Sequence, residues 1–419
     1  MRLERRTLTG DPAALVAQLR ALVPSASDVA DAVVRIVLDV RHGGDEALER
    51  HRRELDAGGA DPGPLRVPAA ELSAALDGLA PDVRAALERA AANVRAVAEA
   101  GVDAERAVEL PEGQAVRLRE LPVARAAVYV PGGRAPYPST VIMGAVTAGA
   151  AGVREVVVCT PSDDPLVLAA CALAGVEEVY RMGGAHAIAA LAHGTETIPQ
   201  VDVIVGPGNL YVQEAKLVVR GEVGIDGFAG PSDLLVLLAG ASAQDAALAA
   251  LDLRAQAEHG KESLVVAVSP EADALDALAR ELDGAPEAGA AVLVQARDLD
   301  GALALAEAFA PEHLQLIGAG AEALAPRITR AGCLFVGAGA ATAFGDYLAG
   351  SNHVLPTDGA ARYASGLSAR TFRRRMAEVR IPAAAASALA PDGVALARAE
   401  GFAAHAESMR ARIRENEGR

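Results

Sequence analysis

The sequence contains no tryptophan, and aromatic residues make up only 3% of its 419 positions. Stacking platforms for single-stranded nucleic acid are therefore not expected. Positive charge is in deficit: 39 Lys and Arg face 55 Asp and Glu, a formal net charge of −16. That balance argues against bulk DNA or RNA binding, which needs a basic face. Cysteine is scarce, and Cys159, Cys171 and Cys333 form no C-x-x-C pair. This excludes a disulfide framework and a cysteine zinc site, and it fits a reducing cytoplasm. The start, Met1-Arg2-Leu3-Glu4-Arg5-Arg6-Thr7, lacks the apolar core of a signal peptide. The longest uncharged stretch, Ala135–Val153, carries two prolines and three glycines. It reads as a buried helix with a turn before it, not as a membrane span.

What is present is a globular composition, 52% hydrophobic and rich in Ala, Val and Leu. Roughly 100–200 residues per domain predicts two to four structural units. The first 125 or so residues read as mostly helical, with apolar residues at helical spacing over Val29–Val40 and Glu71–Ala100, the latter broken at Pro81. Short apolar runs then alternate with helix-length segments: Ala126–Val130, Glu155–Thr160, Val179–Arg181, Val203–Val205, Leu234–Leu238, Ser263–Val268, Ala291–Gln295, Leu314–Ile317 and Cys333–Val336. Such runs are expected to be parallel strands in two α/β units, with a break near Gly230-Pro231. A helical appendage is expected beyond Ala361, with the Arg370–Arg375 cluster as a solvated face.

Several constellations carry candidate chemistry. Gln256 and His259 stand at i, i+3 spacing on a predicted helix, where an amide oxygen and an imidazole can share a divalent metal. Glu312-His313 precedes an apolar run and offers a carboxylate and an imidazole for separate proton transfers. Asp346 and His353 frame a polar loop after a strand, and Glu400 and His405 stand on the last helix. His42 and His51 are expected at the surface. Tyr129-Val130-Pro131-Gly132-Gly133 and Gly206-Pro207-Gly208-Asn209 each turn from strand to helix, where backbone N–H groups can meet an anion. Gly184-Ala185-His186 is a weaker case. Val336–Thr342 lacks the third glycine of a dinucleotide fingerprint and is set aside.

Together, Tyr129–Thr140 (YVPGGRAPYPST), Gly183–Thr195 (GGAHAIAALAHGT), Val205–Lys216 (VGPGNLYVQEAK), Ala229–Val236 (AGPSDLLV), Gln256–Gly260 (QAEHG), Pro311–Leu316 (PEHLQL) and Gly345–Thr357 (GDYLAGSNHVLPT) resemble the histidinol dehydrogenase family, in that family's order. The resemblance implies NAD-linked, zinc-dependent oxidation of L-histidinol to L-histidine through the aldehyde. It implies Gln256, His259, Asp346 and His405 as zinc ligands, and Glu312 and His313 as catalytic bases. Ser232, His353 and Glu400 would join the ligands and His313 around the substrate. Tyr129, His186 and Asn209 would meet NAD, although the family commonly has Gln where His186 stands.

The implied fold is α/β, with two Rossmann-like domains of incomplete topology and small N- and C-terminal helical extensions. The expected division is 1–25 as an extension, 26–128 with 235–365 as the catalytic domain, 129–234 as the NAD domain, and 366–419 as a tail. The implied assembly is a cytoplasmic homodimer of intertwined subunits, each tail completing the partner's site. Two alternatives are a paralogue oxidising another small polyol or amino alcohol, and a catalytically dead metal-dependent binding protein. Ser232, His353 and Glu400 favour histidinol over the first, and the filled catalytic positions argue against the second.

Overall fold

The computed structural model of the chain describes residues 2–23, 29–132, 135–227, 232–258, 260–283 and 289–413. His259 and the expected break at Gly230-Pro231 lie outside the described residues. The chain divides into two compact units: Met1–Gly101 with Val123–Phe372, and Val102–Pro122 with Arg373–Arg419.

The first unit holds two parallel sheets. One has five strands in the order Glu178–Arg181, Glu155–Thr160, Arg125–Tyr129, Val203–Val205, Gly224–Ile225. The other has six, in the order Arg2–Thr7, Ala290–Gln295, Leu264–Ser269, Asp233–Leu238, His313–Ile317, Cys333–Val336. All nine expected strands are found, each within a residue of its predicted bounds. Most of their side chains are buried on both faces, Cys333–Val336 at the sheet edge being the least covered, which is why they read as Val/Leu runs. In each sheet the strand first met after Gly101 lies at the centre, and the winding direction reverses beside it. Arg2–Thr7 extends the six-stranded sheet as an additional edge strand. The fold is α/β, and the N-terminal extension is therefore not only helical.

Helix Ala30–His51 lays its apolar stripe, Val33, Val37 and Val40, into the core that also contains Tyr129 and Ile188. It packs with the five-stranded sheet, whereas the expected division grouped it with residues 235–365. The same division cut at residue 128, inside strand Arg125–Tyr129. Helices Ala69–Asp77 and Pro81–Ala100 flank Pro81 as predicted. Among the described residues, no helix is long and apolar enough to cross a membrane.

The second unit has a three-stranded antiparallel sheet, Arg106–Glu109, Ala115–Pro122 and Arg373–Arg380, followed by helices Ala383–Ala399 and Ala403–Arg410. The appendage thus contains strands as well as helices. Of the basic cluster, Arg373, Arg374 and Arg375 lie on this ladder, and the half-exposed Arg375 meets Glu120 and Asp103.

Candidate active site

The candidate site is built where strands Asp233–Leu238 and His313–Ile317 run side by side, at the reversal of the six-stranded sheet. Ser232 and Glu312 immediately precede these strands, so the site gathers at their amino ends. Loops at the carboxyl ends were the expected location for Asp346 and His353. The connecting helices explain the difference. Helices Ala243–Ala257 and Thr342–Tyr347 each follow a strand, and their last turns carry Gln256 and Asp346 back toward the amino end.

Glu312 is 6% exposed, and its Oε2 accepts from Ser232 Oγ at 2.5 Å and from the Asp233 N–H at 2.9 Å. Gln256, 1% exposed, donates through Nε2 to Ser232 Oγ. One chain of bonds therefore links Gln256, Ser232 and Glu312. His313 is 2% exposed, with Nδ1 3.7 Å from Glu312 Oε2 and its ring 5.8 Å from that of Phe335. His313 Nδ1 has no hydrogen-bond partner among the described residues. Burial pushes the Glu312 carboxyl up to about 7, against the pull of its Ser232 and Asp233 donors. Burial also holds His313 below the usual imidazole range, although Asp346 opposes this. The pair thus combines a neutral imidazole with a carboxyl group titrating near neutrality, a suitable arrangement for proton transfer.

Burial pushes the Asp346 carboxyl up to about 6, with His313 lowering it and Glu312 raising it. A divalent cation beside this carboxylate would restore its charged form. Gln256 spends its nitrogen on Ser232, which leaves its carbonyl oxygen free to ligate a cation. These features fit a metal. Among the described residues no group of three or more His, Cys, Asp and Glu side chains is gathered to hold one. Glu400 and His405 stand in the second unit, both exposed, with the Phe402 ring tilted against that of His405 at 5.3 Å. His353 contacts the Asp346 carbonyl through Nδ1 and Thr140 Oγ1 through Nε2, each at 3.2 Å. It ties the end of helix Thr342–Tyr347 to helix Pro138–Val141, which follows strand Arg125–Tyr129 of the five-stranded sheet.

In that sheet the reversal lies between Arg125–Tyr129 and Val203–Val205, so two of the predicted turns flank one crevice. Gly206 has φ +119°, and a Cβ there would lie 2.1 Å from the Tyr129 carbonyl oxygen. Asn209 caps helix Leu210–Val219 by accepting from the Val212 N–H at 3.2 Å. The Tyr129 and His186 side chains are both engaged inside the fold. The Tyr129 hydroxyl is buried and accepts from the Gly184 N–H at 3.2 Å. His186 is fully buried, with Nε2 3.0 Å from Asp56 Oδ2 and its ring 5.9 Å from that of His51. His51 is partly buried and meets Asp39 at 2.7 Å.

Some polar groups escaped the sequence reading. Lys216 is buried, donates to the Gly206 carbonyl at 2.9 Å and pairs with Asp226, whose Oδ2 accepts from the Gly206 N–H at 2.7 Å. Asp233 and Gln315 are also buried. The available signal was a charged or polar residue inside or at the head of an apolar run, as in Leu314-Gln315-Leu316 and Asp233-Leu234-Leu235-Val236. An apolar cleft of ≈ 460 Å³ opens near the site, lined in part by Leu87, Met143, Phe344 and Tyr347.

An acid–imidazole pair buried at the reversal of a parallel sheet, beside a second sheet wound the same way, marks an α/β enzyme, and comparison makes it an oxidoreductase. The chain belongs to the histidinol dehydrogenase family, whose model matches residues 21–413. It is 44% identical to the histidinol dehydrogenase of Parasynechococcus marenigrum over 92% of this chain and 91% of that protein. The corresponding figures for the Cereibacter sphaeroides protein are 42%, 93% and 94%. The crystal structure of histidinol dehydrogenase from Elizabethkingia anophelis superposes with a TM-score of 0.88 at 29% identity, covering 99% of this chain and 98% of that one.

Proposed function

We propose that this chain oxidises L-histidinol to L-histidine in two NAD-linked steps, the last reaction of histidine biosynthesis. The observation that carries the reading is the buried Glu312–His313 pair, with Glu312 fixed by Ser232 and Asp233. His313, kept neutral by burial, takes the hydroxyl proton as hydride leaves the carbinol carbon for NAD. The aldehyde must then gain water before it can lose a second hydride. Glu312 takes the proton from that water, and His313 serves again on the hydrate. Ser232, Gln256, Asp346 and His353 would contact the substrate.

Gln256, His259, Asp346 and His405 would hold a Zn²⁺ ion in this reading. When bound, the ion supplies an anchor for the substrate's nitrogen donors. Asp346→Asn and His259→Asn proteins are expected to retain little zinc by atomic absorption after dialysis. Full occupancy in either variant would remove that residue from the ligand set.

The six-stranded sheet would carry the catalytic residues and the five-stranded sheet NAD. Asn209 and the Gly206–Gly208 turn would meet the cofactor, while Tyr129 and His186 would support that crevice from below. We also infer a cytoplasmic homodimer, in which Glu400 and His405 of one protomer serve the partner's site. Their exposure and their place on a separate compact unit support this. The direct test is the NADH formed per L-histidinol at completion, with zinc-loaded protein and excess NAD⁺. About two NADH per histidinol, with histidine as product, is the result expected of a four-electron oxidation. No NADH from histidinol, with turnover of another alcohol, would move the chain to a different substrate.

A further inference from the structure

Strands Asp233–Leu238 and His313–Ile317 are parallel neighbours, with Leu234 opposite His313. Asp233 and Glu312 therefore face each other one position before that pair. There, each side chain bonds the other's main chain. The Glu312 N–H donates to Asp233 Oδ1 at 2.7 Å, and the Asp233 N–H donates to Glu312 Oε2 at 2.9 Å. The two bonds fix both the backbone and one carboxylate oxygen of Glu312.

Asp233 is itself 2% exposed, and a buried carboxylate needs a counter-charge. Arg20 supplies it, with NH1 3.8 Å from Asp233 Oδ2. The guanidinium is held in turn by Asp358 at 2.6 Å and by the Phe309 carbonyl at 2.7 Å, over the Phe309 ring at 4.7 Å. Phe309 ends the helix Leu299–Phe309, and the chain turns through Ala310 at φ +47° into Pro311 and Glu312. Arg20 thus touches both the partner of Glu312 and the segment that delivers it.

We propose that Asp233, backed by Arg20, is a positioning residue for Glu312, aiming the carboxylate at the water that adds to the aldehyde. The proposal rests on the two-step reading above and deepens it. Asp233 acts only through Glu312, so its removal should burden the second oxidation and spare the first.

The test uses full-length, zinc-loaded protein assayed separately on histidinol and on histidinal in single turnovers. Misplacing a reacting group by about 1 Å can cost about 100-fold. Asp233→Ala is therefore expected to slow histidinal oxidation by about 10- to 100-fold, while the alcohol step and both KM values stay within about threefold. Asp233→Asn keeps an acceptor for the Glu312 N–H and should lose less. In a Glu312→Gln background, Asp233→Ala should add no further loss to the histidinal step, because residues acting as one unit are not additive. Equal losses in both steps, or an additive loss in that background, would overturn the proposal. If Asp233→Ala does not fold, Asp233→Asn and Arg20→Gln decide, and an unchanged ratio of the two rates in both overturns it. Wild-type protein that makes no acid from histidinal would overturn the two-step reading, and this proposal with it. Wild-type protein that completes both steps isolates any failure to Asp233.

Discussion

Replacing His313 with asparagine should lower NADH formation from histidinol by about 10²- to 10⁴-fold, the usual contribution of a positioned general base. The imidazole is buried against Phe335, and no neighbour among the described residues takes the hydrogen bond at its Nδ1. Asparagine keeps a polar side chain of similar reach but has no nitrogen that titrates. Both oxidations should fall together, because each requires a proton to leave oxygen as hydride leaves carbon. Glu312→Gln should behave differently. The amide cannot take a proton from water, so hydration and the aldehyde-to-acid step should suffer, with the alcohol step largely kept. Single-turnover rates on histidinol and histidinal separate the two. Equal losses for Glu312→Gln in both steps would contradict the division of labour.

The same pair sets a pH dependence. The base form of Glu312 is the ionised one, and burial pushes its carboxyl up to about 7. The aldehyde step should therefore rise with pH through about 7 and level off above it, and Glu312→Gln should abolish that limb. The sign for stability is the opposite. An acid with a raised pKa in the folded state favours folding while protonated. Its contribution is intact below the unfolded value of about 4.3 and is lost as pH rises to about 7. Asp233, pushed up to about 7 by burial with Glu312 adding to it and Arg20 opposing, has the same sign. Two adjacent buried carboxylates thus cost stability in the pH range where one of them is needed ionised.

Nine of the eleven strands of the parallel sheets were legible, because a strand buried on both faces can hold little but Val, Leu, Ile and Ala. The strands that escaped are exposed or half-exposed. Arg2–Thr7 has four charged residues in six, and Arg373–Arg380 five in eight. Their stability comes from ladder bonds and ion pairs with distant segments, which leave no local apolar pattern. Glu312, His313, Gln256 and Asp346 were legible as motif residues, yet their meeting at the amino ends of the strands was not. That depends on helix length, because each helix must run far enough back along the sheet for its last turn to reach the site. Asp233 and Arg20 are separated by 213 positions and meet only in the fold. The surroundings of His186 were hidden for a related reason. Its turn resembles a ligand-binding one, but the Asp56 carboxylate that engages it arrives from a distant segment.

Lys216→Met should be among the most destabilising single substitutions in this chain, at about 3–5 kcal/mol, the cost of leaving one member of a buried pair alone. The Lys216 and Asp226 side chains are 1% and 5% exposed. Methionine fills much of the lysine stem's volume, so the loss is electrostatic and not a cavity effect. Asp226 would stay buried without its counter-charge, and the Gly206 carbonyl would lose its donor. Both groups hold the turn after Val203–Val205, where glycine is required because a Cβ would strike the Tyr129 carbonyl. If that turn meets NAD, as proposed, the variant should also raise KM for NAD more than KM for histidinol. Adding Asp226→Leu to Lys216→Met removes the stranded charge, and should recover part of the stability seen in urea denaturation without recovering NAD affinity. A double variant as unstable as the single one would show that the pair matters through packing rather than charge.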